Sequence, residues 1–112
     1  MQNPKFVIKS RDDQFHFHLL ASNGEIILVS QMYASLGAAE NGIASVKVNA
    51  PIEERYERRR SRQEEPYFVL KAPNGEIIGT SEMYASGAAM ENGMAAVQRA
   101  APGAGVERWG RA

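Results

Sequence analysis

Slid along itself by 51 residues, the chain lays Phe17–Pro51 on Phe68–Pro102 without a gap, and 21 of those 35 positions are identical. Asn23-Gly24-Glu25-Ile26-Ile27 recurs as Asn74-Gly75-Glu76-Ile77-Ile78, and Met32-Tyr33-Ala34-Ser35 as Met83-Tyr84-Ala85-Ser86. Glu40-Asn41-Gly42 returns as Glu91-Asn92-Gly93. Each copy alone is under about 55 residues, where a single hydrophobic core becomes marginal. The two copies, 1–51 and 52–112, are therefore expected to fold as one compact body, a monomer with an internal pseudo-twofold axis.

Within the first copy, Phe6-Val7-Ile8-Lys9 is apolar and β-branched and ends in the polar Ser10-Arg11-Asp12-Asp13, a strand followed by a turn. Phe15-His16-Phe17-His18-Leu19 alternates with period two and places Phe15, Phe17 and Leu19 on one face of a second strand. Asn23-Gly24 then predicts a type I′ hairpin turn, leading into a third strand over Glu25–Val29. Ser35 is a helix N-cap, and Ala39, Ile43, Val46 and Ala50 form one apolar stripe that Pro51 stops. The second copy repeats this with Ser86, the stripe Met90, Met94, Val97 and Ala101, and Pro102. Gly42 and Gly93 fall inside the helices, where glycine costs about 1 kcal/mol against alanine. Their recurrence predicts a close approach to the sheet or to the other helix.

Between the copies, Arg55–Arg62 stands where Lys5–Arg11 stands in the first, with one residue inserted. It reads as the opening strand of the second unit, on an edge where charge discourages stray pairing. After Pro102, Val106-Glu107-Arg108-Trp109 resembles Tyr56-Glu57-Arg58, which predicts a closing strand near 106–109.

Phe-x-Leu-x-Ala-x-Asn-Gly-Glu-Ile-Ile, then Ser-x-Met-Tyr-Ala-Ser, then Glu-Asn-Gly and Ala-Pro resemble the YegP-like family of small bacterial proteins over about residues 5 to 102. The resemblance implies an α+β fold: tandem β3-α-β repeats with exchanged strands in one antiparallel sheet, the helices packed on it. It implies no reaction, ligand or catalytic residue.

The chain has 13 basic and 13 acidic residues and no cysteine. Proteins that neutralise phosphates usually carry a basic surplus, so nucleic acid is disfavoured as a partner. The absence of cysteine excludes disulfides, thiolate metal sites and a thiol nucleophile. No stretch reaches membrane-spanning length and the amino terminus lacks a secretion signal's apolar run, which predicts a cytoplasmic protein without a membrane partner.

Three groups of residues carry candidate chemistry. Tyr33, Glu40, Asn41, Tyr84, Glu91 and Asn92 recur in both copies near helix starts, where they suit a small polar ligand. Capping, ring burial and the helix dipole account for the same residues structurally. Arg55, Arg58 and Arg60 suit anion binding, yet Ile52–Glu65 holds five arginines against five glutamates. His16 and His18 share a strand face, but two imidazoles fall short of a metal site, and the second copy has Tyr67 and Val69 there. No metal, cofactor or catalytic set is expected. The architecture favours a non-enzymatic binding module with a protein partner, ahead of an enzyme or small-ligand binder using the repeated Tyr, Glu and Asn residues. Nucleic-acid binding on the sheet would require aromatic rings exposed beside arginines.

Overall fold

The hairpins follow from their turn residues. In the computed structural model, which describes residues 3–108, β1 (Lys5–Arg11) and β2 (Gln14–Leu20) are joined by Asp12 and Asp13, with φ of 52° and 62°. Two consecutive positive φ values make this the type I′ turn, which aspartate tolerates because its short polar side chain relieves the left-handed region. The Asn-Gly loop before β3 (Ile26–Val29) is different from expectation. Gly24 donates to the Ala21 carbonyl at 2.8 Å and it alone takes positive φ, 87°. That is a turn closed by a glycine bulge, fixed by the Asn23 side chain, which accepts the Glu25 amide at 3.0 Å. The second copy forms the same loop at Gly75 (φ 89°) and Asn74.

Helix α1 (Leu36–Asn49) starts where the Ser35 hydroxyl accepts the Ala38 amide, and α2 (Gly87–Ala100) where Ser86 accepts that of Ala89, both at 3.1 Å. Ala39, Ile43, Val46 and Ala50 are all buried, as are Met90, Met94, Val97 and Ala101. Each helix gives way to a short 3-10 turn, Glu53–Arg55 or Ala101–Gly103, and then to a strand.

Those strands are exchanged between units. After α1, β4 (Tyr56–Arg60) pairs with β5 (Pro66–Lys71), which pairs with β6 (Ile77–Thr80). After α2, β7 (Gly105–Arg108) returns to β1. The result is one seven-stranded sheet in the order β4-β5-β6-β3-β2-β1-β7. Two β3-α-β repeats with exchanged strands are thus present, antiparallel through six strands, while β7 lies parallel to β1. The repeat explains this. β7 follows α2 as β4 follows α1, so it runs in the direction of β1; that slot is filled, and it docks one place further out. Trp109, at the end of the expected closing strand, lies outside the described residues.

Val29 pairs with Thr80, its own equivalent under the 51-residue shift, so the pseudo-twofold axis passes between them. On the helix-covered side, Phe6, Ile8, Phe17, Leu19, Leu28, Tyr56, Phe68 and Leu70 join the helix stripes in a single core. Symmetry breaks at its centre. Leu28 is fully buried, and a side-chain carbon on its counterpart Gly79 would overlap the Leu28 side chain.

Candidate binding face

The helices cover one face of the sheet only, and period-two alternation assigns each strand residue to a side. With Phe6, Phe17, Phe68 and Tyr56 in the core, their neighbours in sequence point to the open side; on β3 Val29 does so, whereas the register shift keeps Ile27 in the core beside Leu28. Register then lines up one row across all seven strands: Glu107, Val7, His18, Val29, Thr80, Val69 and Glu57. Val7 and Val69 are only 3% and 1% exposed although they lie outside the helix-side core. The face is therefore closed over at these two valines, while toward the Asn23-Gly24 turn it also carries Leu20 and the exposed Ile26.

Flanking that row, Lys9 stands opposite His16 on one side of the axis and Arg59 opposite Tyr67 on the other. His16 and Tyr67 are equivalents under the repeat, and so are the two cation positions. The strand residues facing this way include five cations, Lys5, Lys9, Arg11, Arg59 and Lys71, against two carboxylates, Glu57 and Glu107. Glu107 pairs with Lys5 at 3.2 Å; Glu57 accepts from Arg59 at 2.6 Å and also pairs with Lys71. These two cations hold the Glu57 carboxyl down to about 2.

His16 and His18 do share the open face, their ring centroids 5.0 Å apart. Burial, followed by Lys9 and Arg11, lowers the His16 pKa; burial, then His16 and Lys9, lowers that of His18. Both shifts favour the neutral imidazole. The His16 Nδ1 is buried without a hydrogen-bond partner. Among the described residues no group of three or more His, Asp or Glu side chains converges as a metal site.

The other candidate residues lie on the helix side. Tyr33 and Tyr84 are half-buried and stack on Phe17 and Phe68, with interplanar angles of 11° in both cases. Their hydroxyl ends press on Gly42 and Gly93, where any side-chain carbon would overlap the ring. The close approach that these glycines permit is thus to a tyrosine. Burial raises both phenol pKa values, and the Tyr84 hydroxyl is buried without a partner. Glu40, Asn41, Glu91 and Asn92 are exposed along the helices.

Arg58 forks onto Glu91, its Nε at 2.5 Å and Nη2 at 2.9 Å, and also reaches Glu53 at 3.1 Å. Arg55 donates to the Asn49 side chain at 2.9 Å and Arg60 to the Glu64 carbonyl at 3.0 Å. The three arginines singled out by sequence are committed to neighbours on their own side of β4 or in its turns. Arg59, a member of the same arginine cluster, lies across the sheet beside Tyr67 and pairs with Glu57; neither residue was chosen from the sequence as a candidate site. Counting parity from Phe68 would have found them.

Ser30 and Ser81 have a structural task that sequence reading missed. Each buried hydroxyl accepts a strand amide, Phe17 at 2.8 Å and Phe68 at 2.9 Å, where β3 and β6 leave the ladder.

Relatives share this fold. The family model described as "Domain of unknown function (DUF1508)" matches twice, over residues 10–57 and 61–107. The UPF0339 protein YegP of Yersinia pestis is 56% identical over 91 residues, 81% of each chain. The UPF0339 protein of Shewanella oneidensis is 53% identical over 89 residues, 80% of this chain and 81% of that one. A solution structure of a Shewanella oneidensis UPF0339 protein superposes with a TM-score of 0.88 at 44% identity, covering 96% of this chain and 92% of that one. The solution structure of yegP from E. coli, a protein of unknown function, gives 0.91 at 43% identity, covering 100% of this chain and 97% of that one. With two matches spanning most of its length and relatives above half identity, the chain belongs to the DUF1508 family, as a tandem member alongside the UPF0339 YegP proteins.

Proposed function

We propose that this protein is a non-enzymatic binding module of the bacterial cytoplasm, and that its working surface is the helix-free face of the sheet. One observation carries this reading: the pseudo-twofold axis sets the same cation-and-ring pair, Lys9 with His16 and Arg59 with Tyr67, on both halves of a face that no element among the described residues covers. A symmetric, largely polar surface suits a macromolecular partner better than a small substrate, which calls for a concave apolar pocket. The repeated Glu and Asn side chains are spread along two helices, and Glu91 is engaged by Arg58, so they supply no shared cleft for acid–base chemistry.

Titrating isotope-labelled protein with cytoplasmic extract, and following its amide resonances, tests this. Broadening confined to Lys9, His16, His18, Tyr67, Val69 and Thr80 supports the reading. Perturbation centred on the outer faces of α1 and α2, or none at all, defeats it.

A further inference from the structure

Resting on that reading of the open face, we propose that its partner is single-stranded nucleic acid, laid diagonally across the sheet from the Lys9–His16 pair to the Arg59–Tyr67 pair. The whole chain is electrically neutral, but alternation sorts the charges: the strand residues on this side are five cations and two carboxylates. The arginine-rich β4 shows the sorting within five residues. Arg58 and Arg60 turn to the helix side, whereas Arg59 turns to the open face beside Tyr67. Net charge alone thus understates what this face offers a polyanion.

Geometry favours a single strand. His16 on β2 and Tyr67 on β5 are three interstrand steps apart and displaced two residues each way from the central row. That makes a diagonal of about 20 Å at ordinary strand spacings. A few extended nucleotides span it, with bases stacking on the half-buried rings and phosphates meeting Lys9, Arg11 and Arg59 at the ends. A duplex cannot present its base faces to such a surface, since they are stacked inside it. An acidic protein segment is the weaker match. Protein interfaces concentrate exposed apolar anchors and exclude charge from their centres, whereas Val7 and Val69 in the central row are submerged here and half-buried or exposed cations flank them, with the exposed Ile26 set toward the turn. The two carboxylates do not cancel the field: Glu107 answers Lys5, and Glu57 is shared by Arg59 and Lys71.

The test is fluorescence anisotropy with a labelled 12-nucleotide single strand of mixed sequence, as DNA and as RNA, against its duplex and a polyglutamate peptide. About three phosphate contacts predict a salt slope near −2, hence about 20-fold weaker binding at 200 mM than at 50 mM salt. The single strand should bind at least tenfold tighter than duplex or peptide. Lys9→Glu with Arg59→Glu should weaken it by about 30-fold or more. Tyr67→Ala should cost about tenfold and Tyr67→Phe should restore it, since stacking needs the ring and not the hydroxyl. Amide spectra of each variant establish that it is folded; if the charge reversals unfold the chain, Lys9→Ser with Arg59→Ser replaces them.

No binding at 50 mM salt, equal binding of duplex and single strand, or indifference to Tyr67→Ala would each overturn the proposal. If oligonucleotides fail while nuclease-treated extract still broadens the open face, the partner is a protein and the binding-module reading stands. If both fail, both fall.

Discussion

β1 and β4 occupy equivalent places in the two repeats, each pairing with the strand that follows it, yet one reads Phe-Val-Ile and the other Tyr-Glu-Arg. Phe6 and Tyr56 remain core residues in both, facing Leu19 and Leu70 in register. The difference begins one residue later and has a single cause. β1 has a neighbour on each side, β2 and β7, whereas β4 is the edge of the sheet. The enclosed strand buries Ile8 to 2% exposure, while its counterpart Arg58 is exposed and clamps β4 to α2 through Glu91. Position in the sheet, rather than ancestry in the repeat, has set the composition. An unpaired edge needs charge to resist adventitious pairing; an enclosed strand needs none.

Exchanging residues between these strands gives the largest effect. Ile8→Arg should cost about 4 kcal/mol or more, because it drives an unpaired cation into the core. The reciprocal Arg58→Ile removes an exposed ion pair and should cost no more than about 1 kcal/mol, while lowering solubility. Urea denaturation of both variants measures this, and equal costs would refute the account of the two strands. Removing the outer neighbour comes next. Ending the chain after Ala104 strips the ladder bonds of four residues from β1, a loss of about 2–4 kcal/mol at the usual net value per hydrogen bond. Amide exchange should quicken along β1 far more than along β4. Uniform quickening would mean that β7 supports the whole fold.

A smaller effect probes the axis itself. Gly79→Ala should cost about 1–3 kcal/mol by overpacking against Leu28. Adding Leu28→Val should recover part of that, so the two changes together cost less than their sum. Strict additivity would show that Leu28 is not what Gly79 accommodates.

The smallest effect separates the copies by pH. The folded state lowers the His16 and His18 pKa values, so the unfolded chain binds protons first as pH falls below about 6.5. Stability is therefore complete above that value and declines below it. Glu57, depressed to about 2, contributes stability above its ordinary carboxylate range that is lost as pH drops from there toward 2. Installing the second copy's residues, His16→Tyr with His18→Val, should abolish the first decline and leave the second. Denaturation midpoints between pH 8 and pH 3 distinguish the two.

Much of this fold was legible because its determinants are local or repeated. Capping serines, helix stripes and alternation around Phe17 and Phe68 need no tertiary knowledge, and the 51-residue shift supplied the pairing of copies. Three features escaped. Asn23-Gly24 predicts a type I′ turn, but the Asn23 side chain stabilises a bulged alternative and the aspartate pair takes the type I′ geometry. The parallel seating of β7 depends on β1 already filling the slot that the repeat assigns to it, a fact about occupancy that no local pattern carries. The charge sorting of the open face was hidden by averaging. Over Ile52–Glu65 arginines and glutamates cancel in sequence, but the strand's pleat sends Arg58 and Arg59 to opposite sides. Tyr33 and Tyr84 drew attention through recurrence, which here records packing against Gly42 and Gly93.

The mismatch of Leu28 and Gly79 has a consequence for how this protein can evolve. Two identical subunits meeting on a twofold axis must present the same residue from both sides. A pair of first copies would bring two leucines into space that holds one, and a pair of second copies would leave the centre of the sheet hollow. Fusion into one chain allowed each half to specialise, one supplying the side chain and the other the room for it. The duplication has thereby become a ratchet: the halves still look alike, but neither can any longer stand in for its twin.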